Sequence, residues 1–358
     1  MANLRLLVGP TNPLRAVDLI TPIADGNAGD IIMLDSSGNP VPVAPMSISV
    51  QAQSVENGII NGCCRVAQRG AYTLVNSVWG HGAVDRFDGY AYADTSVGAG
   101  TLTQLTSSTI GRTNCALHFS GVTMVGANSQ LKLRHRIEAK DAQKFKNQLV
   151  SFGCKIYHNV GSAINARLEI SVANAVDDFS APVLFYTTAP DKSIANATTT
   201  SFKDEAIQLG DCSNGIELIL ILFCGAITTK NFYITDLQFE LGSVANPIVI
   251  PSFAEVLAQC QRYYEIQGKV AGGSPGIHGS STTGWYIGYG AIFAVVKRTV
   301  PTMVKVGTWN VNNCSQPMAV ASSVAGYMFT TVITSTGPAY CVPTDSTCYI
   351  TADAEFAA

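Results

Sequence analysis

Residues 231–265, NFYITDLQFELGSVANPIVIPSFAEVLAQCQRYYE, constrain the chain more than any other stretch. Tyr233, Thr235, Leu237, Phe239 and Leu241 alternate with Ile234, Asp236, Gln238 and Glu240. A period of two predicts a strand with one buried face. Gly242 ends it, and Pro247 and Pro251 bracket an extended connector, because each proline biases its predecessor toward the β region and cannot join a central ladder. Ser252 then offers an N-cap, with Glu255 placed to complete a capping box, while Phe253, Val256, Leu257 and Cys260 recur at helical spacing. The helix is expected to be short, since Arg262-Tyr263-Tyr264 turns strand-like again.

A strand so patterned needs a second layer to bury its apolar face. The preceding sequence supplies candidates at Gly62 to Ala67, Phe87 to Ala93, Cys115 to Gly121, Gln148 to Tyr157, Ala166 to Ala173, Val183 to Thr188, Thr198 to Gln208 and Gly215 to Cys224. Clusters of Gly, Asn, Asp and Pro separate them. Asn128 to His135 reads as a strand or a helix start, and Glu138 to Phe145 as one or two helical turns crossing between sheets. The expected fold is all-β, a sandwich or barrel over 57–260. A C-terminal β-domain over 261–358 follows, with a Gly/Ser/Thr-rich loop at Val270 to Gly284. Residues 1–56 hold six prolines, which break any long regular element. Within them Asp30 to Val43 reads as a small hairpin. An arm that attaches to another protein suits this segment better than an edge strand and loop, since extended Pro-rich chain is poor core material.

Charged residues make up only 13% of the chain and the net charge is −3. Lys and Arg are scattered, so nothing marks a nucleic-acid partner. The basic run Lys132 to Arg136 reads as a solvated face. No apolar run is long enough for a membrane span, and the N-terminus lacks a secretory signal, which implies synthesis in a reducing cytoplasm. The ten cysteines have no zinc-site spacing and read mostly as small buried hydrophobes.

Catalytic readings fare poorly against structural ones. Asp236 and Glu240 lie four residues apart on one strand, about 13 Å at ~3.3 Å per residue, beyond the ~5 to 9.5 Å of glycosidase pairs. Asp177-Asp178 suits a turn, and Asp85 beside Arg86 suits an ion pair or turn cap. His118 fits a hydrogen-bonded strand residue, and no histidine pair has metal spacing, so neither a metal nor a cofactor is expected. Gly272 to Gly276 matches G-x-S-x-G, but Pro275 lacks the N–H an oxyanion hole needs. What remains is aromatic. Trp285, Tyr286, Tyr289 and Trp309, with Trp79, sit among Gly, Ser, Thr and Asn, a combination that stacks on sugar faces. The first four are the candidate glycan-binding residues.

Several motifs carry a family resemblance. Asn61-Gly62, Ala67-Gln68-Arg69-Gly70 and Asp85-Arg86-Phe87 open it, though the family more often has Trp after the Asp-Arg pair. Leu131 to His158 forms its centre, followed by LQFELGSVANP and FAEVLAQCQRYYE. Val295 to Thr302 and Thr351 to Phe356 close it. Together they resemble a β-sandwich module of tailed-bacteriophage virion proteins, mostly tail-fibre or minor structural proteins. The resemblance implies jelly-roll topology, a virion-surface location, self-association as a homotrimer and a non-enzymatic tail-fibre or receptor-binding role. Capsid decoration is the alternative, and surface-polysaccharide depolymerase a more distant one. The implied partners are other virion proteins, reached through the N-terminal arm, and a host-surface glycan.

Overall fold

The computed structural model describes residues 32–34, 40–42, 56–268, 276–321, 323–345 and 347–356. Backbone contacts divide the chain into two units, 1–52 and 53–358. In the first, β1 (Ile32–Leu34) and β2 (Pro40–Pro42) pair antiparallel with Met33 opposite Val41, as the hairpin reading expects. The rest of the expected arm lies outside the described residues.

The second unit begins with β3 (Tyr72–Thr73), β4 (Gly80–His81), β5 (Asp88–Tyr92), β6 (Ser96–Leu105), β7 (Ala116–Val125) and β8 (Gln130–Ile137). After α1 (Ala139–Ala142) and a 3₁₀ turn come β9 (Leu149–His158), β10 (Ile164–Val172), β11 (Val183–Thr187), β12 (Lys192–Ile194), β13 (Thr200–Gln208), β14 (Ile216–Phe223) and β15 (Ile227–Leu241). They build two antiparallel sheets, one ordered β11-β10-β14-β8-β5-β4 with β12 also on β10, the other β13-β9-β15-β7-β6-β3. From β7 to β15 the chain crosses repeatedly between sheets in a jelly-roll-like winding, staying in one sheet only from β10 to β12, and α1 with its 3₁₀ turn makes the expected crossing from β8 to β9. One core fills the gap, with Leu131, Leu133, Leu168 and Leu218 from one sheet against Leu117, Phe119, Phe152 and Phe239 from the other. The protein is all-β, a β-sandwich.

Three local readings are corrected. Gly62 to Ala67 is a turn and irregular chain: Asn61 and Cys64 take left-handed φ of 62° and 58°, which breaks any pairing. Gly62 touches the Leu237 carbonyl so closely that a Cβ would stand 2.0 Å from its oxygen. The basic run on β8 is not a solvated face, because Arg134, His135 and Arg136 are all buried. Arg134 bonds Asp88 through Nε and Nη2 at 2.9 and 2.8 Å, and Arg136 Nε meets Glu217 at 2.7 Å. The loop expected over 270–284 contains a strand, Ile277–Ser281.

After β15, Gly242 at φ +119° turns the chain back as a strap across the outer face of its own sheet. Side chains hold this strap: Asn246 N donates to Glu240 Oε1 at 2.7 Å, Val249 N to Gln238 Oε1 at 3.1 Å, and Arg112 Nη1 to the Ile248 carbonyl at 2.6 Å. The prolines forbid a ladder here, and polar side chains replace it. Then α2 (Phe253–Gln261) starts at Ser252, whose Oγ accepts the Glu255 N–H at 3.2 Å.

The remaining strands are β16 (Tyr264–Gln267), β17 (Ile277–Ser281), β18 (Tyr286–Ile292), β19 (Thr302–Val306), β20 (Trp309–Asn312), β21 (Met318–Ala321), β22 (Gly326–Val332), β23 (Gly337–Pro343) and β24 (Tyr349–Asp353). They form three short antiparallel sheets, β16-β24-β19, β17-β23-β20 and β18-β22-β21. A second core around Trp309, Phe329, Cys341 and Ile350 lies within them.

Candidate functional site

The motifs behind the family resemblance converge on one buried polar junction. Asn61 ties the opening turn, donating to the Val66 and Asp85 carbonyls at 2.9 and 3.1 Å. Gln68 N–H bonds Asp85 Oδ1 at 2.9 Å, and its Nε2 reaches the Tyr264 carbonyl at 2.8 Å. Arg69 pairs with Asp353 at 3.2 Å and with Glu355 at 3.5 Å, its guanidinium 3.6 Å above the Tyr264 ring. Arg86 takes the other Glu355 oxygen, donates to the Arg136 carbonyl at 2.7 Å and lies 3.4 Å over Tyr263. Arg298 donates to the carbonyls of Ala354 and Glu355 at 3.0 and 3.2 Å and covers Phe356. Arg262 grips Glu138 with two bonds of 3.1 and 3.0 Å, and Lys297 pairs with Glu265.

Each carboxylate in this junction is spent on a cation or an N–H. Burial raises the Asp85 carboxyl to about 6, with the Gln68 hydrogen bonds opposing it. Burial also acts to raise Glu138, but the contacts of Arg262, Tyr263 and Lys140 together outweigh it and leave that carboxyl below its usual value. A shifted acid whose oxygens are all engaged by neighbouring side chains and backbone N–H groups is a fastening, and the geometry fits cross-linking of distant segments better than proton transfer. Asp236 is similarly engaged, accepting the Arg112 N–H at 3.1 Å and pairing with Lys155 at 3.1 Å. A β-bulge between Thr235 and Gln238 breaks the simple alternation on which its predicted spacing from Glu240 was based.

The four aromatic candidates do not come together. Trp285 and Tyr286 are both 66% exposed. Tyr289 faces the opposite way, into the second core, its ring 5.7 Å from Phe329 and its hydroxyl buried without a protein partner. Trp309 is buried at 1% exposure, with its indole N–H directed at the Val306 carbonyl at 3.4 Å, so its placement among surface residues is corrected. Polar neighbours in sequence signalled exposure there, but strand β20 turns the indole onto Phe329. Trp79 is half-buried against Tyr90, under the Arg134 guanidinium.

Tyr286 belongs to an outer sheet face that the sequence reading missed. Register places residues in rows across β18, β22 and β21: Tyr286 with Val332; Gly288, Thr330 and Met318; Gly290, Met328 and Val320; Ile292 with Gly326. Ile292 is 82% exposed, and Val320, Met328 and Met318 are exposed with it. None of these row residues carries a charge. The available signal was that β18 is apolar at Tyr286 and Ile292 as well as at Ile287, Tyr289 and Ala291, so neither face is polar.

No family model matches the chain, and no curated protein does. Solved structures similar to it include carbohydrate-binding modules. The C-terminal family 22 module of Clostridium thermocellum Xyn10B is 13% identical, with TM-score 0.29, covering 44% of this chain and 88% of its own. A structure of carbohydrate-binding modules from the β-sandwich superfamily is 11% identical, with TM-score 0.34, covering 58% and 71%.

Proposed function

We propose that the chain is a non-enzymatic structural protein on the surface of a tailed-phage virion, of tail-fibre or receptor-binding type, working as a homotrimer. The observation that carries this reading is the junction. The residues shared with the virion module, from Gln68 and Arg69 to Glu355 and Phe356, are used for internal fastening, which fits a scaffold role. Imaging of intact particles tests it: density at the tail is the expected result, and density spread over the capsid lattice favours the decoration role. Release of oligosaccharide from host surface polysaccharide by the purified protein would overturn the non-enzymatic reading.

The exposed Trp285 and Tyr286 favour a host glycan as ligand, since two aromatic faces open to solvent at one end of β18 offer a stacking surface. Replacing both by Ala should lower cell adsorption at least tenfold and leave the melting temperature unchanged. Adsorption equal to wild type would remove the glycan from the reading.

A further inference from the structure

We infer that the aliphatic part of the outer face of β18-β22-β21 packs against the same face of another copy of this chain. The surface is large for an unoccupied one. Ile292, Val320, Met328 and Met318, at 82, 57, 53 and 44% exposure, present roughly 500 Å² of side chain, at the upper end of the largest apolar patch on a typical monomer. With the exposed Gly288 and Gly290 between them, two such faces together would bury up to about 1,000 Å², the size at which specific association begins.

Charge identifies the occupant. A partner of opposite charge would need Lys, Arg, Asp or Glu to meet, and the rows contain none. A neutral face meets its own copy without like-charge repulsion. Shape agrees. Gly288 and Gly290 leave β18 flat, so another sheet can approach to the ~10 Å spacing of packed sheets, and the two methionines adapt to the contact. Tyr286 and Ile292 are six residues apart on β18, about 20 Å at ~3.3 Å per residue, so the contact centred on the Ile292 and Met328 rows borders the aromatic end only at Met318.

Gly290 provides a clean test, because a Cβ built there meets nothing within 4 Å. The full chain, purified, is compared by sedimentation velocity with Gly290→Glu and Ile292→Lys, and each variant's circular dichroism and melting temperature check its fold. The expected result is an oligomer for the wild type and a folded monomer, or at least tenfold weaker association, for both variants. A wild-type monomer at tens of micromolar, or variants that associate as the wild type does, would overturn the inference. Glycan binding to the wild type that is lost in Ile292→Lys without any change in association would assign the face to sugar instead. The readout is independent of where the protein sits on a particle, so its failure and failure of the virion reading are separable.

Discussion

Arg86 has almost no solvent to turn to: its side chain is 2% exposed and that of Glu355 is 5%. Removing one member of such a pair leaves the other charge buried and uncompensated, at a cost of about 3–5 kcal/mol. Glu355→Ala should therefore lower the unfolding free energy by about that much in urea titration, whereas exposed Lys203 with Glu205 should cost under ~1 kcal/mol when broken. A second pair contributes to the pH response. In His81 burial opposes the charged form, but the Asp88 contact prevails and raises the imidazole above 6.5. In Asp88 burial is likewise outweighed, by His81 and Arg134, and the carboxyl is held well below 3.8. Stability from His81 is thus complete below about pH 6.5 and lost as pH rises through its folded value; that from Asp88 is present above pH 3.8 and lost as pH falls. His81→Gln should flatten the alkaline decline and shrink the acid limb to the part that Arg134 sustains, as read from urea midpoints between about pH 2 and pH 9.

Among the elements, α2 shows what local pattern can specify. Its cap depends on one hydroxyl, and Ser252→Ala should cost about 1 kcal/mol, measured by chemical denaturation. Ser252, the helical spacing after it and the prolines before it are all short-range signals, so cap, helix and connector were readable. Strands β5, β7, β9, β10, β13 and β14 were readable too, because their inner faces alternate. The ten-residue β6, SVGAGTLTQL, was not, since Gly, Ser and Thr give no alternation to read. At the candidate sites the limit was different. Exposure of Trp285 and burial of Trp309 depend on which side of a short strand faces a core made by distant strands, and sequence neighbours do not report that. The bury-or-expose choice at Arg134 and Arg136 likewise turned on Asp88 and Glu217, the latter 81 residues from Arg136.

At the scale of the molecule the junction joins residues far apart in the chain, Arg69 to Asp353 across 284 positions and Arg86 to Glu355 across 269. Ending the chain after Asp353 should leave both cores formed yet loosen the 61–70 and 262–265 segments, seen as faster proteolysis there by mass spectrometry. The same span matters while the protein is being made. At ~5–20 residues per second the ribosome releases the acidic partners on the order of tens of seconds after Arg69 and Arg86 have emerged. The sandwich strands β5 to β15, residues 88–241, are all made within that interval, before the carboxylates that neutralise Arg69 and Arg86 and the Phe356 ring that packs by Arg86 and Arg298. The junction can therefore close only in a chain translated through Phe356.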